Sequence, residues 1–410
     1  MKQSYTPSDT ILEKYAELIV GFGLRNRDGS KPKKGSVVQF IVPEAAKPLY
    51  FYLQRAILKK GYNPLGTITP SSYEKCNLEK DFYEHASDAQ LDFCALTDKQ
   101  GTINQIDCVI HVIAETLPHG LKDIDSSKIL RHTQAQKKAV ACKRKKIDDG
   151  KLNWTIVLYG TDANAKEAGL SLRQYWNQII KACYLDKKNP VAQWEKINNT
   201  VQSTAKKLTD MKIKSLHVVG EDMDLTLGIG KNRKWAAGGG NNIPSYEVFT
   251  SPTWQEVDGW ARLNQPHYRY GKKIEGIELW FEKGKVVKSK ATKNHALLKS
   301  MLEVPGGNKL GEFSLTDERL SRIDKFMAEI LYDENTGGTF GNTHIAIGAS
   351  FHECYKGKAD PEWKKKDWDK LGFNDSVIHS DIISTTDRTV TATFYDGSTK
   401  VIYKKGRFVI

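Results

Sequence analysis

The sequence predicts an α/β N-terminal domain with a mostly parallel sheet, followed by a β-rich α+β C-terminal domain. Three observations predict it. Up to about residue 185, strand-like and helix-like segments alternate, the pattern of a parallel sheet wrapped by helices. Beyond residue 211, β-prone runs separated by Gly and Asp turns dominate. The chain is 410 residues long, which exceeds one ordinary core. The expected division is residues 1–211 and residues 212–410.

Within the first half, Ile11, Leu12, Tyr15, Ala16, Ile19 and Val20 recur at helical spacing. Ser8, Asp9 and Thr10 offer caps, and Gly21 and Gly23 offer stops. GSVVQFIVP reads as a strand and AAKPLYFYLQRAILKKGY as a helix interrupted early by Pro48 and closed by Gly61. LGTIT, QIDCVIHVIAE and NWTIVLYGT supply further strands, the second an apolar run typical of an internal position. Residues 164–211 read as two helices broken around Pro190. In the second half, KSLHVVGEDMDLTLGIG, YEVFTSP, EGIELWFEKGKVVKSKAT, HIAIGAS and TTDRTVTATFYDGSTKVIYKKGRFVI are strand-like, and YDGS signals a hairpin turn.

Composition excludes several classes. With 39% hydrophobic and 27% charged residues, the chain reads as globular rather than disordered. No apolar run approaches the ~18 residues of a membrane span. MKQSYTPSDTILEKY lacks the apolar core of a signal peptide, so a cytoplasmic location is expected and no membrane partner. The six cysteines are scattered without a CxxC pair, as reduced thiols would be. The net charge of +13 permits nucleic-acid binding without showing it. KKAVACKRKK, residues 137–146, reads either as a phosphate-binding helix face or as a solvated helix whose Ala139, Val140 and Ile147 touch the core. No aromatic stacking set accompanies it, which favours the second reading. GIGK at 228–231 lacks the spacing of a P-loop, and no GxGxxG is present.

The chemistry concentrates near the C-terminus. In VIHSDII, His379 and Asp381 are two apart in a strand and share a face. An imidazole and a carboxylate so placed can clasp a cation, or simply hydrogen-bond to each other. In THIAIGAS, the face of His344 carries Ala346, Gly348 and Ser350, and the opposite face carries Ile345 and Ile347. Small neighbours leave room for an ion. Glu247 in SYEVFTSP, Glu312 in LGEFSLT and Glu334 in YDENTGG stand in comparable settings. Two histidines and several carboxylates suit divalent ions such as Zn²⁺, Co²⁺ or Mn²⁺. The set is too large for one catalytic zinc and fits two ions about 3.5–4 Å apart. AAGGGNN at 236–242 reads as a loop that lets backbone approach a site.

The order DLTLGIG, RKW, GGGNNIPSYEVFTSP, VDGWARL, IEGIELWFEKGKVV, LGEFSLT, DENTGGTFGNTHIAIGASF and IHSDII resembles the aminopeptidase T and aminopeptidase S family, the thermophilic-type dinuclear metallo-aminopeptidases. The resemblance runs through about residues 217–383, and YAELIVGFGLRNRDGS adds to it. It implies a cytoplasmic, homodimeric exopeptidase whose second half is the catalytic metal-binding domain and whose substrates are peptides with a free N-terminus. It implies metal ligands at Glu247, Glu312, Glu334, His344, His379 and Asp381. A water activated by the two divalent ions would be the nucleophile, oriented by Glu312. The family motif closes with a catalytic tyrosine seven residues after the histidine, where this chain has Phe351. His352 and Tyr355 are the nearby substitutes. The alternatives are a catalytically impaired homologue that binds peptides and a basic nucleic-acid-binding protein.

Overall fold

The computed structural model describes residues 3–26, 29–360 and 362–410. Four parallel strands form the first sheet: β1 (Val37–Pro43), β2 (Asn63–Thr69), β3 (Cys108–Ile113) and β4 (Asn153–Leu158). Their order is β2-β1-β3-β4, with helices in the connections. Pro48 sits in the first turn of helix Lys47–Lys59, where its missing N–H has no intrahelical partner to lose. It therefore starts this helix rather than interrupting it. Pro190 likewise opens helix Pro190–Asp210. Leu12, Tyr15, Phe40, Trp176 and Trp194 anchor the core on one face of the sheet. The basic helix Lys137–Asp148 covers the other face, where Ile147 packs near Val109 and Leu152. Ala139 is buried, but Val140 is 59% exposed and does not touch the core as expected.

The second half is β-rich and antiparallel. It runs through β5 (Ser215–Gly220), β6 (Met223–Gly228), β7 (Ala236–Ala237), β8 (Asn242–Ile243), β9 (Glu247–Thr250) and β10 (Val257–Leu263). Next come β11 (His267–Arg269), β12 (Lys272–Ile274), β13 (Ile277–Glu282) and β14 (Lys285–Lys290). The last six are β15 (Leu310–Thr316), β16 (Asn342–Gly348), β17 (His379–Ser384), β18 (Arg388–Thr393), β19 (Thr399–Lys404) and β20 (Arg407–Phe408). Eight form a large sheet ordered β14-β13-β10-β6-β5-β18-β19-β20, and β11 pairs with β12. A smaller sheet, β17-β16-β15-β9-β7, packs its apolar face on the large one, with Leu225, Leu279 and Val390 opposite Phe313, Ile345 and Ile382. Between β18 and β19 the chain turns at Gly397, whose φ of +85° fits the hairpin expected from YDGS.

The halves interlock. β8 extends the parallel sheet beside β4, and Ile323, Met327, Leu331 and Tyr332 pack into the first core. Among the described residues, no helix is long and apolar enough to cross a membrane.

The small sheet obeys period-2 alternation strictly enough to be tested. Ile345 is fully buried on the face that meets the large sheet. Ile345→Ala is expected to cost about 2–5 kcal/mol, measured by denaturant unfolding. An unchanged midpoint would contradict this packing.

Candidate metal centre

The small sheet places charged groups on the face opposite its apolar one. Cross-strand partners share a face. Glu312 on β15 pairs with Ala346 on β16, and Ala346 pairs with Asp381 on β17. One step along, Ser314 pairs with His344, and Gly348 pairs with His379. Glu247 on β9 pairs with Thr316, two residues from Ser314. Five of the six expected ligands therefore stand on one surface. Glu334 joins them from outside the sheet, just after the short helix Ile330–Asp333.

The donor atoms converge. Nε2 of His344 is 3.3 Å from Glu247 Oε2, 3.6 Å from Glu312 Oε1 and 4.0 Å from Asp381 Oδ1. Nε2 of His379 is 3.0 Å from Glu312 Oε2 and 3.2 Å from Asp381 Oδ1. Glu312 thus turns one oxygen to each histidine. Three overlapping groups each bring donor atoms within 4.8 Å of one another: Glu247, Glu312 and His344; Glu312, His379 and Asp381; Glu334, His344 and Asp381. Ala346 lies between Glu312 and Asp381, and its single methyl leaves the space open.

Neighbouring groups fix the orientations. Nδ1 of His379 is 2.8 Å from the Ala349 carbonyl, so Nδ1–H donates there and Nε2 faces the carboxylates. Nδ1 of His344 has no partner among the described residues. Ser245 Oγ donates to Glu247 Oε1 at 3.2 Å and Ser314 Oγ to Glu247 Oε2 at 3.4 Å. Asn242 and Asn335 donate to Glu334 Oε1 at 3.3 Å and 3.5 Å. The glycine loop matters here, because a Cβ on Gly238 would sit 2.0 Å from Ser245 Oγ.

Charge is crowded and buried. Burial and the nearby carboxylates raise the Glu247 carboxyl, against the pull of His344. The same two causes push Glu334 well above the carboxylate range. Burial opposes protonation of His344 and His379, yet the facing carboxylates hold both well above the ordinary imidazole value. Burial also opposes ionisation of Asp381, but His379 outweighs it and the carboxyl is lowered. Without a cation, the imidazoles must themselves carry the counter-charge.

A sequence model of the thermophilic metalloproteases (M29) matches residues 8–408. The chain belongs to this family. Aminopeptidase T of Thermus aquaticus is 29% identical over 312 residues, which span 72% of this chain and 74% of the relative. Aminopeptidase AmpS of Bacillus subtilis is 26% identical over 418 residues, spanning 97% of this chain and 98% of the relative. The solved structure of wild-type AmpT from Thermus thermophilus has a TM-score of 0.82 at 26% identity, covering 98% and 99% of the two chains.

Membership of the metalloprotease family implies a divalent metal, and the donor set fits one. Ionised carboxylates accept only, and four of them packed with two imidazoles offer the mixed O/N ligation of borderline divalent ions.

Two groups lay outside the sequence reading. His267 on β11 is buried beside Asp381, whose backbone it approaches. Burial and Arg269 lower its imidazole to about 4, against the pull of Asp381, so it stays neutral. Its only sequence signal was a histidine opening a short β-prone run. The other is the Ala349 carbonyl, a backbone group that no side-chain motif reveals.

The candidate catalytic positions divide. The Phe351 ring lies 4.7 Å from that of His379 and 5.5 Å from Phe249. His352 stacks on Trp368 at 3.8 Å, and burial pushes its imidazole down to about 4. Tyr355 packs among Trp363, Trp368 and Phe373. Glu312 and Phe351 are thus at the centre, and the two substitutes lie in an adjoining aromatic cluster.

Because Ala346 is the only side chain directly between Glu312 and Asp381 in the cross-strand row, Ala346→Leu fills that space. Divalent-metal affinity, read by titration of the metal-free protein, is expected to fall at least about tenfold (about 1.4 kcal/mol). Undiminished affinity would remove the metal from this face.

Proposed function

We propose that this chain is a two-metal aminopeptidase that hydrolyses N-terminal residues from peptides, with residues 212–410 carrying the centre and residues 1–211 forming an α/β companion domain. The observation that carries the reading is Glu312, whose two oxygens face two histidines and which joins two of the three overlapping donor groups. Its relatives named as aminopeptidases support the reaction class.

Glu247, His344 and Glu334 would hold one ion, and His379 and Asp381 the other, with Glu312 shared. When bound, the ions supply Lewis-acid polarisation of a carbonyl and lower the pKa of a water to near neutrality. The protein's own groups do the rest. Ser245 and Ser314 hold the Glu247 carboxylate, and the Ala349 carbonyl holds the His379 ring. Glu312, central and 3% exposed, would orient the attacking water. The free α-amino group of a peptide would be held by an ion or a carboxylate of the centre, which selects chain ends. Phe351 and Phe249 form an apolar wall beside His379 that limits water. Six free cysteines fit the expected cytoplasmic location. The homodimer implied by the resemblance is read directly by light scattering.

Phe351 favours a second reading, a homologue that binds peptides without cutting them, because the family's hydroxyl is missing. Steady-state assays separate the two. Cleavage of short peptides is expected to be abolished by a strong chelator and absent on N-acetylated peptides. Persistence in chelator, or equal cleavage of acetylated peptides, would defeat the mechanism.

Elemental analysis should give two divalent ions per chain and fewer in His379→Ala. Full metal content in that variant would remove His379 from the ligand set.

Phe351→Tyr adds one oxygen on a ring already against His379. The expected effect is at least about a tenfold gain in kcat with a smaller change in KM, because an oxyanion donor acts in the transition state. No gain would mean that a hydroxyl at this position contributes nothing. Inactivity of both proteins with metal bound would favour the peptide-binding reading.

A further inference from the structure

The basic run at 137–146 does not act as one patch, because its members are committed differently. Lys146 Nζ donates to the carbonyls of Ile103 at 2.7 Å, Asn104 at 3.1 Å and Ile106 at 2.6 Å, closing the end of helix Leu96–Gln105. Lys145 pairs with Asp149 at 3.7 Å on the solvent side. Arg144 goes elsewhere. Its Nη2 donates to the Ser350 carbonyl at 3.3 Å, across 206 residues of sequence. That carbonyl adjoins the Ala349 carbonyl that holds His379, and the next residue is Phe351. The guanidinium therefore stands against the loop that holds His379, although it belongs to the other half of the chain.

Arg144 is half-buried, and among the described residues no carboxylate forms an ion pair with it. A guanidinium has five N–H donors in a planar fork matched to a carboxylate. The Ser350 carbonyl accepts from Nη2, and other donors stay available. Val140, one helical turn away, is 59% exposed, so the face around Arg144 presents apolar surface next to the charge. On the metal side, His379 and Asp381 have the more exposed side chains of the cluster, 24% and 17%, against 2% for His344 and 3% for Glu312. Of these two, His379 is the one that the Ala349 carbonyl of the 349–351 loop holds. The carboxylate-rich centre on one side of that loop and, on the other, a guanidinium that makes no ion pair among the described residues match the polarity of a free peptide, ammonium at one end and carboxylate at the other.

We propose that Arg144 is a specificity-determining residue that binds a substrate carboxylate, that of the peptide C-terminus, and so favours short free peptides. This inference rests on the aminopeptidase reading. A carboxylate on an acidic side chain offers the same chemistry, and the test separates the two sources.

Metal-loaded wild type is assayed on Leu-Gly-Gly, on its C-terminal amide and on Leu-Asp-Gly-amide. The free acid is expected to exceed the amide in kcat/KM by at least about tenfold. In Arg144→Gln the ratio should fall below about twofold. Arg144→Lys keeps the charge and should retain at least about a threefold preference. Lys145→Gln removes an equal charge from the solvent side and should leave the wild-type ratio. Rescue by Leu-Asp-Gly-amide in wild type would reassign the site to side-chain carboxylates and overturn the C-terminal assignment. A wild-type ratio near one, or an Arg144→Gln ratio equal to wild type, would overturn the proposal. Calorimetric binding of triglycine and triglycine amide to the same proteins separates it from the peptidase reading. An Arg144-dependent preference in binding without cleavage of any peptide supports Arg144 and defeats the peptidase. Cleavage with no Arg144-dependent preference does the reverse.

Discussion

Burying several carboxylates together costs several kcal/mol per ion unless opposite charge stands close by. Here four carboxylates and two imidazoles share one small volume on a sheet face, and the surrounding architecture follows from holding them there. The imidazoles are kept protonated only by the carboxylates that face them, and Glu247 and Glu334 are pushed toward neutrality. Such a cluster is poised for cations. A divalent ion would replace imidazole protons as the counter-charge, freeing the nitrogens as ligands and letting the carboxyls ionise.

The cluster keeps its shape because its residues alternate with anchors in the two cores. Tyr246, Glu247 and Val248 show the device in three consecutive positions. Tyr246 packs against Trp194 at 5.0 Å in the first core, its hydroxyl donates to the Ala182 carbonyl at 2.5 Å, and its N–H donates to Asn335 Oδ1 at 2.6 Å. Val248 is buried in the second core. Glu247 lies between them and can neither rotate away nor slide without moving both. Asn335, which receives the Tyr246 N–H, also touches Glu334. The ligand from the loop is thus tied to the ligand from the strand. The interlocking of the two halves is therefore a condition of the site's geometry as well as of stability.

This division also explains what was legible in the sequence. His379-x-Asp381 and the small-residue face of His344 announce themselves because strand alternation is local and strict. The parallel sheet and the antiparallel half were legible for the same reason, since each strand carries its own apolar pattern. Pro48 and Val140 misled because a proline that starts a helix looks like one that interrupts it, and because helix periodicity gives a face but not which face is covered. His267, the Ala349 carbonyl and the Arg144 contact were illegible in principle. They are positions made adjacent by tertiary packing, and nothing in PHYRYG or KRKK encodes the partner across the fold.

The 349–351 loop joins these contacts. Ala349 fixes a metal-facing imidazole through its carbonyl, Ser350 receives Arg144 through the next, and Phe351 places a ring against the same imidazole. Phe351 is further constrained by its N–H, which donates to Ser251 Oγ at 2.9 Å. A loop held at three successive residues cannot relax one contact independently of the others. Phe351 is thereby fixed as part of the wall beside His379. An aromatic ring without a hydroxyl is more apolar, and a more apolar wall strengthens every charge interaction beside it. The ring that packs on His379 and the carbonyl that receives Arg144 are neighbours in one short loop, so the apolar wall and the guanidinium are set by the same backbone.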